Sequence, residues 1–179
     1  MKHRVLLFLL VICCCSKVQA VTFDVDGMRY EILSQTNKEV SVAIIPKSLS
    51  YPTYSTYTGD INIPEKVSFN GVEYTVVGIG EDAFANCQKL GNFSMPSSVR
   101  FIGFGAFAYS NISTVELHEG IDSIGAAAFR DCDNLKEIVL PKSLKHLDTT
   151  VFSTCRNLKK ITILSCLTSI PDDSFTACI

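Results

Sequence analysis

Groups that could converge on a reaction are scarce in this 179-residue chain. It has three histidines, and beyond residue 20 only His118 and His146 remain, at different places within a repeating pattern. No nucleophile elbow, histidine pair at metal-ligand spacing or phosphate-cradling glycine loop occurs. These absences argue against an enzyme, and no residue stands out as catalytic, cofactor-binding or metal-ligating. Long apolar runs are missing too, since no stretch after the first twenty residues approaches the ~20 needed to cross a bilayer as a helix. Positive charge is also short. With the first twenty residues set aside, 13 Lys and Arg face 18 Asp and Glu, a net of −5 that offers nucleic acid no electrostatic footprint. No Pro/Gly/Ser-rich or charge-run linker divides the remainder, which reads as one folded unit.

The first twenty residues have the order of a secretory signal. Basic Lys2 and Arg4 precede an apolar core from Val5 to Cys15, and Val18-Gln19-Ala20 puts compact residues at the cleavage positions. Cleavage after Ala20 would start the mature chain at Val21 and deliver a protein that is secreted or held at the cell surface. The apolar core is too short for a transmembrane anchor. Acylation of Cys13, Cys14 or Cys15 is the alternative, although Leu10-Val11-Ile12-Cys13 lacks the small residue expected before a lipid-bearing cysteine.

What the chain does have is one phrase, many times over. Ile79-Gly80-Glu81-Asp82-Ala83-Phe84 returns as Ile102-Gly103-Phe104-Gly105-Ala106-Phe107 and as Ile124-Gly125-Ala126-Ala127-Ala128-Phe129, with weaker copies ending at Phe152 and Phe175. These phenylalanines are spaced 23, 22, 23 and 23 residues apart, a period that belongs to solenoids. Stacked repeats make a long surface and seldom a catalytic pocket. Each rung also carries a strand signal: Leu90 to Met95, Ile112 to Leu117, Leu135 to Leu140 and Leu158 to Ile163 all end in alternation. Pro96 and Pro141 then stop the strand. An apolar pair follows, Val99 and Ile102, Ile121 and Ile124, Leu144 and Leu147, Leu167 and Ile170. In-register stacking would pair equivalent strands in parallel, place the Ala-Phe pairs in a core ladder and leave each Ile-Gly as a structural turn.

Of eight cysteines, Cys87, Cys132, Cys155, Cys166 and Cys178 lie beyond residue 20, and an odd number cannot pair completely within one chain. Four of the five follow a repeat phenylalanine by three residues, with Ser110 in the vacant place. A disulfide ladder, a metal site and buried small side chains are the possible readings. Stacked at ~5 Å the side chains point the same way and not at each other, which favours burial. Cys166 falls outside the pattern, in a predicted turn, and is the candidate exposed thiol.

These residues resemble the BspA-like leucine-rich repeats of bacterial and protist surface proteins, whose rungs read approximately Ile-Gly-x-x-Ala-Phe-x-x-Cys-x-x-Leu-x-x-Ile-x-Ile-Pro. The match covers about residues 76–179. The resemblance implies a mainly β leucine-rich-repeat solenoid of 22–23-residue rungs, adhesion or recognition on cell surfaces, and no cofactor. Departures occur where the second rung is one residue short near Ser110-Asn111, predicting a local bulge, and where His118 stands in place of proline as a solvated turn residue. In the fourth rung Asp148 replaces glycine and Leu164 replaces proline.

Residues 21–75 have a different texture. Asp26-Gly27 and Asn70-Gly71 are hairpin-turn dipeptides between alternating runs, and Val40, Val42 and Ile44 alternate as well. Asp60 to Pro64 already looks like a rung strand, so this segment is expected to form a β-rich N-terminal cap over the repeats. At the other end Phe175 to Ile179 stops within a rung, which is expected either to continue beyond Ile179 or to be covered by a partner or a second copy.

Candidate binding residues are those pointing outward between buried strand positions: Asn92 and Ser94, Thr114 and Glu116, Glu137 and Val139, Lys160 and Thr162. They are expected to form two parallel columns on the concave sheet, suited to a protein or glycan on a cell surface or matrix. Tyr51 and Tyr54 form a second candidate, a loop whose rings could stack on sugars or anchor an interface, with Tyr57 packing on the cap. Asn92-Phe93-Ser94 and Asn111-Ile112-Ser113 fit the glycosylation sequon, which matters only in a host that modifies asparagine. The sequence therefore points to a surface-recognition scaffold, with self-association through the open last rung as the alternative.

Overall fold

The structure, a computed structural model, describes residues 20–43, 55–165 and 167–178. The expectations for the signal segment up to Gln19, for Ile44, for the Tyr51 and Tyr54 loop and for Cys166 lie outside the described residues.

Two hairpins begin the fold. Strands β1 (Thr22–Val25) and β2 (Met28–Ser34) pair antiparallel across Asp26-Gly27, whose φ angles are 49° and 80°. Two consecutive left-handed residues make the turn whose twist fits a tight hairpin. Strands β5 (Lys66–Phe69) and β6 (Val72–Ile79) repeat this across Asn70-Gly71, at 50° and 76°. Both turns follow the sequence reading. Strand β3 (Glu39–Ala43) runs antiparallel to β2 and parallel to β6, and here the expected alternation fails. Val40, Ser41, Val42 and Ala43 are all buried, because the Ser41 side of the strand packs closely against Gly80 and is not left to solvent.

The second half of β6 opens a parallel ladder that continues through β8 (Phe101–Ile102), β9 (Ser123–Ile124) and β11 (His146–Leu147). The sheet order is β1-β2-β3-β6-β8-β9-β11, with β5 alongside β6. Ile79, Ile102, Ile124 and Leu147 stack along its buried side. On another side of each rung, β4 (Gly59–Asn62) pairs in parallel with β7 (Leu90–Ser94), and β10 (Glu137–Leu140) with β12 (Lys160–Ile163).

The sequence predicted one unbroken sheet there with a bulge in the second rung. Instead residues 111–118 form no strand, and the sheet is divided. One residue fewer separates Phe107 from Ile112 than Phe84 from Leu90 or Phe129 from Leu135. The loss displaces the following segment along its axis by up to ~3.3 Å, the rise of one residue, and its amides miss the neighbouring carbonyls. Packing survives the lost pairing, since Ile112 and Leu117 remain buried while Thr114 and Glu116 stay exposed.

The third side of each rung is a turn, and its hydrogen bonds are as regular as a sheet's. Asp82, Phe84 and Asn86 donate their N–H groups to Phe104, Ala106 and Ala108 of the next rung, while Ala83, Ala85 and Cys87 donate within their own rung to Gly80, Asp82 and Phe84. Gly105 to Ser110 and Ala127 to Cys132 repeat the scheme. The main chain accommodates it by turning left-handed two residues before and two after each phenylalanine, as at Asp82 and Asn86, Thr150 and Thr154, and Asp173 and Ala177.

Inside these three sides the phenylalanine rings form a column. Centroid separations are 5.3 Å for Phe84 and Phe107, 5.2 Å for Phe107 and Phe129, and 5.6 Å for each of the two later pairs, with planes within 10° of parallel. Phe84, Phe107, Phe129 and Phe152 are fully buried, worth about 1.5–3 kcal/mol each by transfer alone. Tyr57 closes the column at the N-terminal end, 4.9 Å from Phe84. The Ile-Gly glycines sit at the turns the sequence assigned them, for a steric reason. A Cβ on Gly80 would come within 2.7 Å of the Val42 carbonyl oxygen, and one on Gly125 within 2.8 Å of the Phe104 nitrogen.

Candidate functional site

The outward strand residues are where the alternation places them. Asn92, Ser94, Thr114, Glu116, Glu137, Val139 and Lys160 are exposed, and Thr162 is half-buried. Their inward neighbours Leu90, Ile112, Leu135, Ile138 and Leu140 are buried, so the first three rungs show one face to the core and one to solvent, whereas in β12 Ile161 is half-buried and Ile163 exposed. The structure joins these residues into two patches and not into two continuous columns, because the second-rung segment lacks ladder pairing.

In the first patch Ser94 Oγ donates to Asn62 Oδ1 at 2.8 Å, and the Asn92 main-chain N–H donates to Asp60 Oδ1 at 2.8 Å. Asp60 and Asn62 therefore extend this surface onto β4. Their positions were legible as a rung strand, but reading the face from the phenylalanine repeat left them out. In the second patch the register sets Glu137 opposite Lys160 and Val139 opposite Thr162. Val139 is 46% exposed, an apolar spot between charged neighbours.

Between the patches lies a recess lined by Phe93, Ser94, Met95, Ser97, Glu116 and His118. His118 is half-buried here, which corrects the expectation of a solvated turn residue. Its Nδ1 lies 2.9 Å from the Glu119 carbonyl oxygen, and its Nε2 is buried without a partner among the described residues. The adjacent Glu119 carboxylate accepts from the main-chain N–H groups of Lys142 and Ser143 at 3.1 and 3.0 Å, tying this turn to the next rung. Proline at 118 would lack the ring nitrogen that approaches the Glu119 carbonyl.

Tyr57 is withdrawn from any binding role by its own contacts. Its hydroxyl donates to the Ala43 carbonyl at 2.9 Å and accepts from the Arg29 main-chain N–H at 2.8 Å, and burial pushes the phenol well above its usual range. The cysteines likewise serve the interior: Cys87, Cys132 and Cys155 are buried free thiols and Cys178 is a half-buried one. Burial raises the thiols of Cys132 and Cys155 to about 12. No cluster of three His, Cys, Asp or Glu side chains able to hold a metal occurs among the described residues.

A family model described as BspA type leucine-rich repeat region matches residues 54–179 in 6 copies. No curated protein matches the sequence. Among solved structures, a leucine-rich repeat protein from Bacteroides capillosus is 32% identical with a TM-score of 0.60, the match covering 79% of this chain and 97% of that one. The leucine-rich repeat protein of T. pallidum is 27% identical with a TM-score of 0.63, over 84% of this chain and 64% of that one. A leucine-rich cell surface protein from Faecalibacterium prausnitzii shares the fold at 20% identity and a TM-score of 0.62, over 87% of this chain and 46% of that one. The chain thus spans less than two thirds of the length of these last two.

Proposed function

Because the chain belongs to the BspA-type leucine-rich repeat family, we propose that it is a secreted or cell-surface protein that binds another protein or a glycan through its outward strand face. The observation carrying this reading is that rungs agree inside and differ outside. Phenylalanine occupies the same interior place five times, whereas the exposed strand positions hold Asn92 and Ser94, Thr114 and Glu116, then Glu137 and Val139. A repeated scaffold carrying a varied surface is how solenoids present a binding face. The signal-like first twenty residues support export. Among the described residues no helix is long and apolar enough to cross a membrane. The mechanism is surface complementarity, with the Asp60, Asn62, Asn92 and Ser94 patch supplying hydrogen bonds and the Glu137, Val139, Lys160 and Thr162 patch adding charge and an apolar contact.

The test is a binding screen of the purified chain against arrays of extracellular-matrix proteins and glycans, repeated with a Ser94→Arg/Glu137→Lys double variant. A ligand captured by the parent and lost by the variant, with unchanged thermal unfolding, supports the reading. Equal capture by both removes the strand face from the function.

A second reading, self-association, rests on Ile163, Leu164 and Ile170, which are 39%, 45% and 47% exposed around the last described rung. Light scattering that shows a strict monomer at high concentration removes it.

A further inference from the structure

The turn side of the second rung departs from its neighbours in one residue. The left-handed position two after each phenylalanine holds Asn86, Asp131, Thr154 and Ala177 in four rungs and Tyr109, with φ of 59°, in the second. A bulky side chain is a steric outlier in that region, whereas Asn and Asp tolerate it. The rung hydrogen bond holds this position left-handed in its neighbours too, Thr154 included, so it is the surroundings of Tyr109 and not its strain alone that set it apart. Tyr109 fills no core space, since it is 45% exposed. Its ring is covered by the Arg130 guanidinium at 5.7 Å from the centroid, and Arg130 is held by Asp131 at 3.2 Å.

Around this ring lies a shallow pocket of planar polar groups, including Asn86, Gln88, Asn134 and Arg156. Several of these side chains are themselves fixed. Gln88 donates to Asn86 Oδ1 and to the Tyr109 carbonyl, Asn134 donates to the Asn111 carbonyl at 3.3 Å, and Arg156 pairs with Asp133 at 2.9 Å. Each still has hydrogen-bonding capacity to spare. The Asn86 amide N–H groups and the Gln88 and Asn134 carbonyl oxygens have no partner among the described residues.

The part of the Tyr109 ring that Arg130 leaves exposed offers an apolar surface, and fixed amides beside it offer donors and acceptors at its rim. That combination suits a sugar ring, which has C–H groups on its faces and hydroxyls around its edge. The ion pairs Arg130–Asp131 and Arg156–Asp133 leave little net charge, which disfavours phosphorylated or sulfated ligands. We propose that Tyr109 and the surrounding amides form a subsite for a neutral pyranoside, on the turn side and separate from the strand face. The strained tyrosine is then retained for binding at the expense of stability.

The experiment uses the whole chain and a panel of maltohexaose, cellohexaose, mannohexaose and chitohexaose, with saturation-transfer NMR as the readout. Tyr109→Asn places in the second rung the residue that the first already uses at this position. The expected result is transfer to at least one oligosaccharide, weakened about tenfold or more in Tyr109→Asn and retained in Tyr109→Phe. The same Asn variant should unfold about 2–4 °C higher, because the strain is relieved. Absence of transfer to every panel member, equal transfer in the Asn variant, or a lower unfolding temperature for it overturns the proposal. Ser94→Arg/Glu137→Lys should leave the transfer unchanged, so failure of the strand-face reading and failure of this one are told apart.

Discussion

The thiol of Cys155 donates a hydrogen bond to the main-chain carbonyl of Phe129, one rung earlier, at 2.9 Å. Cys132 does the same to Phe107 at 3.1 Å, and Cys178 to Phe152 at 3.0 Å. Each of these carbonyls already accepts a turn N–H from its own rung: Phe107 from Ser110, Phe129 from Cys132 and Phe152 from Cys155. The thiol thus occupies a second lone pair on an oxygen that is otherwise turned into the core. This explains why cysteine recurs three residues after phenylalanine without forming disulfides. The repeat needs a small buried donor there.

Cys155→Ala should therefore lower stability by about 1–2 kcal/mol, from one lost hydrogen bond and a small cavity. Cys155→Ser should lose less, because a hydroxyl keeps a small donor at this place. Urea unfolding of the two variants is the measurement. Equal losses would mean that the thiol merely fills volume.

Thiol reactivity should follow the same map. Only the thiolate reacts, and burial holds Cys132 and Cys155 at about 12, so alkylation at pH 8 should spare both while the chain is folded. Cys178, half-buried, should be modified first among these three. Peptide mass spectrometry after timed iodoacetamide exposure checks the order. Equal labelling of Cys155 and Cys178 in the folded state would contradict the buried column.

The tip of the Phe101 ring lies against Gly78 in the adjoining strand, where a Cβ would come within 2.0 Å of Cζ. Gly78→Ala should cost about 1–3 kcal/mol by overpacking. In a Phe101→Ala background the same change should become nearly neutral. A double-mutant cycle by thermal unfolding reads the coupling, and additive effects would sink the interpretation.

Such contacts mark the limit of what the sequence makes legible. The period, the parallel rungs, both hairpin turns and the phenylalanine column follow from local spacing, since each rung repeats one set of packing demands. The outward positions of Asn92, Ser94, Thr114, Glu116, Glu137, Val139 and Lys160 follow from alternation in the same way. The break in the strand ladder does not. A missing residue near Ser110-Asn111 predicts a bulge, but whether neighbouring amides still reach their carbonyls depends on how three consecutive rungs share the offset. Tyr109 escaped notice because its strain appears only once φ is known. A rung-by-rung comparison that set it against Asn86, Asp131 and Thr154 was the available signal.

Asp82 adds a pH dependence with a definite sign. Its carboxyl is raised to about 6 from 3.8, first by burial and then by the charge of Glu81. The folded state therefore prefers the protonated form. This contribution is fully present below about pH 4 and is lost as pH rises through about 6. Asp82→Asn removes the ionisation and suits the left-handed φ of 51°. Its gain in unfolding temperature over the parent should be larger at pH 7 than at pH 4, and an equal gain at both would refute the assignment.

Thr154 carries the same backbone demand in a harsher form, a β-branched residue at φ of 63°. Its N–H donates to the Thr176 carbonyl at 2.7 Å whatever the side chain, so the rung contact holds the backbone left-handed against the residue's preference. Thr154→Asn keeps that contact, and the residue matches Asn86 at the equivalent place three rungs away. Only the long side-chain contact of Thr154 Oγ1 with Ser153 Oγ, at 3.4 Å, is given up. Relief of the left-handed penalty, about 1–2 kcal/mol for an ordinary residue and less for Asn, should leave a net gain of about 0.5–1 kcal/mol. Differential scanning calorimetry of the variant reads it as a raised midpoint. A lowered midpoint would mean that Thr154 is held by packing that outweighs its strain.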